Sequence, residues 1–271
     1  MKKRRSFLTV EPIFNCLISM RIQIKNQDRL SFIIFLFVYN LLMKIGALDK
    51  FSLIDYSGNT TAIIFTQGCN FRCPFCHNPE LVLPEQFEEP IPFEDILAFL
   101  KKRKGLLDAV EFTGGEPTLQ PDLIDKMQII KGLGYKIKLD TNGTNPEVVR
   151  SAIAKNLVDY IAMDVKSSLE KYDEIAGVPV NKEKIQESID LIKSSAPDYE
   201  FRTTLIRGFH DKTEMEKIGA IIRGAKRYYI QNAHFDKTVK PGFKRHPLTK
   251  ETLIEFCEIV KTFNVNCEIR G

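Results

Sequence analysis

The 271-residue chain lacks the features that define several broad classes of protein. The apolar run LSFIIFLFVYNLLM at 30–43 is 14 residues long, whereas a helix needs about 20 to cross a bilayer. A secretory signal is not expected either, because Glu11 and Pro12 interrupt the first apolar patch and no small-residue cleavage site follows the second. Charge of one sign is scarce where it would matter. Residues 1–42 hold seven Lys/Arg against two Asp/Glu, which accounts for the formal net charge of +4, and residues 43–271 hold 32 against 33. That balance leaves no global basic surface for a phosphate backbone and excludes nucleic acid as the expected partner. Internal repeats, low-complexity tracts and an interdomain linker are absent too, which excludes solenoids and argues for one folded domain.

What is present divides at residue 42. The segment before it is basic and aperiodic, and it reads as a membrane anchor, an amphiphilic docking segment or sequence upstream of a start at Met43. The composition break favours the last of these, so 1–42 is taken as an N-terminal extension and 43–271 as the folded domain. With 44% apolar residues the chain can bury a full core without disulfide support. MKIGALDKFSLIDYSG opens the domain like a first strand and turn.

Strand-like runs follow at 61–67, 108–113, 135–140, 158–164, 199–206 and 227–232, and NCEIR supplies a short final strand. Helical patterns lie between them at 93–104, 121–133, 145–155, 181–194 and 211–224, with a last one at 248–263. Alternation of strand and helix implies right-handed crossovers and a parallel sheet. Six such units are too few for a closed eight-fold barrel, so the expected fold is α/β, a partial (β/α)6 TIM-like barrel with parallel strands. Reactive groups in such a fold gather at the C-terminal strand ends. Five polar clusters fall there together: the cysteine loop, TGGEP (113–117), DTNG (140–143), MDVK (163–166) and QNAH (231–234).

Cysteine is sparse, with six in the chain, yet Cys69, Cys73 and Cys76 lie within eight residues of one another in TQGCNFRCPFCHNPELV. Random scattering would produce this C-x3-C-x2-C spacing about three times in a thousand. Disulfide pairing leaves one of the three thiols over. A structural zinc ion on Cys69, Cys73, Cys76 and His77 is the rival, although adjacent residues seldom both reach one tetrahedral ion. An iron–sulfur cluster suits the spacing better, and three ligands on a four-iron cluster leave one iron open, as in catalytic metal sites. Cys16, Cys257 and Cys267 are other candidate ligands; the last two read as small buried hydrophobes on a helix stripe and a terminal strand.

The CxxxCxxC loop with Phe75 before its last cysteine, followed by GGEP after the next strand, resembles the radical S-adenosylmethionine superfamily over about residues 45–271. FSLIDYSG…FTQGCNFRCPFCHNPEL is similar to the glycyl-radical-enzyme activating enzymes, in particular those serving anaerobic ribonucleoside-triphosphate reductase, and more distantly pyruvate formate-lyase. The resemblance implies an oxidoreductase with a [4Fe–4S] cluster on Cys69, Cys73 and Cys76. It implies S-adenosylmethionine on the open iron, cleaved reductively to a radical that takes hydrogen from a glycine of the partner enzyme. Gly114, Gly115 and Glu116 become cofactor contacts, with Glu116 offered to the ammonium group; without the cluster GGEP is equally a turn.

Asp140, Thr141, Asn142, Asp164, Lys166, Arg202 and His234 are implied contacts on the same grounds, and Phe75 and His77 would flank the adenine. The resemblance adds a cofactor or cation role for Asp140 and Asp164, which on neighbouring strand ends would repel unless a monovalent cation or an ammonium group lay between them. Asp55 is expected to touch the partner's glycine loop, although Ser57 stands where the family has proline. An electron donor such as flavodoxin or ferredoxin and a cytoplasmic location complete the expectation. Two alternatives stay open: a small enzyme with a small-molecule substrate, such as a deazapurine synthase, and a non-catalytic iron–sulfur or zinc module.

Overall fold

The computed structural model describes residues 42–270, so expectations placed on residues 1–41, Cys16 included, lie outside the described residues. Eight strands form one sheet whose spatial order follows the chain: β1 (Ile45–Ser52), β2 (Thr61–Thr66), β3 (Ala109–Gly114), β4 (Lys136–Thr141), β5 (Tyr160–Asp164), β6 (Tyr199–Leu205), β7 (Tyr228–Asn232) and β8 (Cys267–Ile269). From β2 to β8 every neighbouring pair is parallel, and β1 alone runs antiparallel, because a short turn returns the chain directly to β2. No pairing joins β8 to β1 among the described residues, so the barrel is open.

The crossovers carry α1 (Pro79–Val82), α2 (Phe93–Lys102), α3 (Leu123–Gly132), α4 (Pro146–Ala154), α5 (Tyr172–Ala176), α6 (Lys182–Ser195), α7 (Lys212–Ile221) and α8 (Lys250–Lys261). Their apolar stripes face the sheet: Ile96 and Leu100, Met127 and Ile130, Ile185, Ile189 and Ile192, Leu253, Phe256 and Val260 are all buried. Starts are set locally. Asn181 accepts from the Lys184 amide at 2.9 Å and Asp211 from the Glu214 amide at 2.8 Å, each satisfying an orphan donor of the first turn. The four-residue α1 and five-residue α5 escape a periodicity reading because neither completes two turns.

The strands are two-faced in an unusual sense. In KIKLD, Ile137 and Leu139 join the apolar core, while Lys138 and Asp140, alternating with them, are buried as well. The barrel interior is therefore polar and charged, built from Glu111, Lys138, Asp140, Glu200 and Arg202. Such charges persist in the interior only when paired.

One expectation is corrected here. Cys257 on α8 and Cys267 on β8 are buried, as their stripe and strand predict, but they are not separate hydrophobes: they form a disulfide. The helix returns the chain to the sheet and sets its inward-facing cysteine against the first residue of the last strand. Neither is available as a cluster ligand. Among the described residues, no helix is long and apolar enough to cross a membrane.

Candidate active site

The cysteine loop leaves the C-terminal end of β2 and is pinned by backbone hydrogen bonds to four other segments. Glu116 N–H donates to the Gly68 carbonyl (2.8 Å), Gly68 N–H to Leu81 (2.8 Å), Arg72 N–H to Ala176 (2.7 Å) and Val239 N–H to Cys76 (2.9 Å). The GGEP turn grips the loop by close approach. A Cβ on Gly115 would stand 2.1 Å from the Gly68 carbonyl oxygen, and Gly114 holds φ +108 with its Cα against the Thr66 backbone. Both glycines thus serve the seating of the loop.

Cys69, Cys73 and Cys76 are free thiols, Cys73 fully buried and the others partly so. Burial pushes the Cys69 thiol up to about 11 and the Cys73 thiol up to about 12, and raises Cys76 too. The Lys166 ammonium acts on all three in the opposite direction without cancelling that cost. Thiolates at this position therefore call for a further cationic centre, which is what an iron–sulfur cluster supplies. Among the described residues no three His, Cys, Asp or Glu side chains stand where one metal ion could be held by all. Three free, tightly spaced cysteines on one loop suit a cluster larger than a single ion.

Glu116 is buried and its Oε1 accepts from the Thr118 amide (3.1 Å), the Thr118 hydroxyl and the Thr141 hydroxyl (2.8 Å), while Oε2 accepts from the Asn142 amide (2.6 Å). It braces the ends of β3 and β4 against each other, and only Oε2 keeps acceptor capacity for a ligand. Burial raises its pKa in spite of these donors. Asn142 continues the brace, donating to Asn70 of the cysteine loop at 2.8 Å.

Asp140 and Asp164 do face each other across strand ends, and the cation between them belongs to the protein. Arg202 donates through Nε to Asp164 and through Nη2 to Asp140, each at 2.9 Å. Lys166 Nζ reaches the other oxygen of Asp164 at 2.9 Å. Burial alone would raise Asp164, but Arg202 and Lys166 outweigh it and hold the carboxyl well below the usual range. Burial opposes the Lys166 charge, and Asp164 and Cys73 more than restore it. The chain Asp140–Arg202–Asp164–Lys166 therefore carries alternating full charges up to the cysteines.

Phe75 is buried in the core cluster, while His77 is exposed, with His234 and Lys166 among the charges acting on it. Asp55 is not at the mouth. It lies in the turn beyond β1, at the N-terminal ends of the parallel strands, where Ser52 Oγ donates to its carboxylate and its carbonyl accepts from Lys138 Nζ (2.6 Å). Lys138 also meets Glu111 (3.1 Å) and Asp140 (3.3 Å), so this one buried side chain links the Asp55 turn to the mouth.

Sequence reading did not single out Glu111, Lys138, His210 or Glu214. The signal for the first two was a charge alternating with core-forming apolar residues in the same strand. His210 gave no signal. It is buried; its Nδ1 accepts from the Ile206 amide (3.0 Å), so its Nε2–H donates to the Lys166 carbonyl (3.0 Å), and Glu214 takes Ser167 and Ser168 alongside. Together they fix the backbone that presents Lys166.

An open β/α barrel with three free cysteines at its C-terminal mouth defines a radical S-adenosylmethionine enzyme by class, and comparison agrees. The Radical SAM superfamily model matches residues 63–218, and the chain belongs to that superfamily. Over 234 residues it is 36% identical to a Methanocaldococcus jannaschii protein that bears the name of a glycyl-radical enzyme activating enzyme, covering 83% of this chain and 95% of the relative. A 7-carboxy-7-deazaguanine synthase of Methanopyrus kandleri is 29% identical over 148 residues, covering 48% and 56%. A solved domain of pyruvate-formate lyase-activating enzyme from Bacteroides vulgatus shares the fold, with TM-score 0.51 at 22% identity over 60% of this chain and 99% of that one. Membership implies a [4Fe–4S] cluster and S-adenosylmethionine.

Proposed function

We propose that the enzyme activates a glycyl radical enzyme by removing hydrogen from one backbone glycine of that protein, and that the partner is anaerobic ribonucleoside-triphosphate reductase. The observation that carries this reading is the alternating charge chain ending at the three cysteines, set in a chain that spans nearly the whole of a relative bearing the activating-enzyme name. When bound, the cluster supplies one electron for reductive cleavage of S-adenosylmethionine, which yields the hydrogen-abstracting radical.

Cys69, Cys73 and Cys76 would hold the cluster. Lys166 and Arg202 offer cationic hydrogen-bond donors to the methionine carboxylate, and the spare capacity of Glu116 Oε2 suits its ammonium. Phe75 and His77 border the place for the adenine, with His234 beside them. Asp140 with Thr141 and Asn142 holds Glu116 and Arg202 in place. Since the Arg202 guanidinium already stands between Asp140 and Asp164, this reading assigns it the role for which a monovalent cation was expected. Ser52 and Lys138 hold Asp55 at the end of the barrel away from the cysteines, so this reading gives it a bracing role in place of the expected contact with the partner's glycine loop, and flavodoxin or ferredoxin would supply the electron.

The test is anaerobic: reconstituted enzyme, S-adenosylmethionine and a photoreductant are incubated with the reductase, and the glycyl doublet is followed by electron paramagnetic resonance. A doublet that vanishes when the partner's glycine is replaced by alanine supports the reading. Cleavage of S-adenosylmethionine with no doublet, but with turnover of a purine-like small molecule, overturns it in favour of a small-molecule enzyme.

A further inference from the structure

A strap of chain between β7 and α8 lies directly on the cysteine loop. Val239 N–H donates to the Cys76 carbonyl and Lys240 N–H to the Pro74 carbonyl, at 2.9 and 3.2 Å. Over residues 235–247 (FDKTVKPGFKRHP) the strap holds Lys237, Lys240, Lys244 and Arg245 against Asp236 alone. This concentration sits in a domain whose charges otherwise cancel. Lys237 is neutralised by Glu80 at 2.7 Å, but among the described residues no carboxylate lies within ion-pair distance of Lys240, Lys244 or Arg245, and all three are exposed. Beside them a cleft of about 430 Å³ is lined by Pro74, Glu174, Phe209, Lys240, Phe243 and Arg245, two cations and one carboxylate. Pro74 lies between Cys73 and Cys76 in the chain, and Phe209 and Phe243 pack with ring centroids 6.3 Å apart.

Unpaired like charges held together on a backbone-anchored strap cost self-repulsion, which an acidic partner relieves. Their place fixes what kind of partner gains from them. A protein seated here stands within one or two residues of two of the three cysteines, close to where an electron must enter a cluster held by them. We infer that the strap and cleft dock an acidic one-electron carrier protein, steered by Lys240, Lys244 and Arg245, so that the electron enters through the Pro74–Cys76 side of the loop. In the step itself the reduced carrier loses one electron and the cluster gains one; no bond or proton changes place. Contacts of this sort are small and transient, and charge sets their rate more than their lifetime. The inference rests on the proposed cluster site but not on the identity of the hydrogen donor.

The experiment uses the reconstituted holoenzyme, its Lys240→Glu/Lys244→Glu/Arg245→Glu variant, and a control reversed at two equally exposed lysines of α2, Lys101→Glu/Lys102→Glu. A flavodoxin is the probe. Equilibrium binding is read by flavin fluorescence, and cluster reduction by loss of visible absorption with flavodoxin or with a neutral photoreductant. At low salt the strap variant should bind flavodoxin and accept its electron about tenfold more weakly and slowly, while photoreduction and the melting temperature stay unchanged. Added salt should slow the native enzyme toward the variant's rate. The inference is overturned if flavodoxin binding and reduction change less than twofold, or if the control slows as much. It is also overturned if the variant loses only the glycyl doublet under photoreduction, since the strap would then serve the glycyl radical partner. Failure of the native enzyme to make a doublet with any partner would count against the proposed function and leave the flavodoxin measurements standing.

Discussion

The two ends of the barrel are both charged, yet they are built to different ends. At the mouth, Asp164 and Lys166 keep 33% and 15% of their side-chain surface, and the three thiols are free. At the base, Lys138 and Glu111 keep 2% and 3%, with the Asp55 turn closing over them and Tyr56 packed on Tyr160 at 5.3 Å. Charges with an open side can exchange a protein partner for a ligand, whereas sealed charges can only hold the scaffold. The lesson is that burial divides an apparently continuous polar interior into a working part and a supporting part.

The largest expected effect lies at the mouth. Cys73→Ala should lower bound iron from about four per chain to near zero and abolish the visible absorption, leaving the apoprotein folded by circular dichroism. A variant that kept its iron would break the ligand assignment and the contrast with it. The base should answer oppositely. Lys138→Met strands Glu111 and Asp140 and should cost about 3–5 kcal/mol of stability, measured by denaturant unfolding, with iron per folded chain retained. If Lys138→Met left stability intact but stopped cleavage of S-adenosylmethionine, the base would belong to the chemistry and the division would fail.

A third region sharpens the comparison because it is far from both ends. The Cys257–Cys267 disulfide closes a loop of sequence separation 10. Cys257→Ala should therefore cost about 2–3 kcal/mol under oxidising conditions, and the gap to the native protein should narrow when both are treated with a thiol reductant. An unchanged gap would show that packing, not the crosslink, carries the cost.

The strands and long helices were legible because their signal is local. TAIIFT, the KIKLD alternation and the Leu253–Phe256–Val260 stripe declare themselves within a few residues, and the polar clusters at strand ends follow from the topology. What stayed hidden depends on distance in the chain. Lys138 looks like an ordinary surface lysine until Asp55, 83 residues away, is seen to cover it. Arg202 was legible as a cofactor contact through the resemblance, but not that Asp140 and Asp164 would both pair with it. Cys257 and Cys267 read correctly as buried, while their bond depends on how α8 meets β8, which no window of sequence contains.

The smallest effect, and the finest test of the base as a sealed compartment, concerns a proton. Burial first, and Asp140 beside it, push the Glu111 carboxyl up to about 9 although Lys138 pulls the other way. Two buried oxygens without a hydrogen-bond partner, Glu111 Oε2 and Asp140 Oδ1, are explained together if Glu111 keeps its proton and donates to Asp140. The sign follows from linkage. Between about 4.5 and about 9 the folded chain holds a proton that the unfolded chain has released, so this group makes stability fall as pH rises through that window. Glu111→Gln mimics the neutral acid, donating to Asp140 and accepting from Lys138, and should leave stability near pH 5 almost unchanged. Toward pH 9 the variant should become the more stable of the two. Parallel pH profiles for the two proteins would mean that Glu111 is ionised as a partner of Lys138, and the base would then be an ordinary buried ion pair.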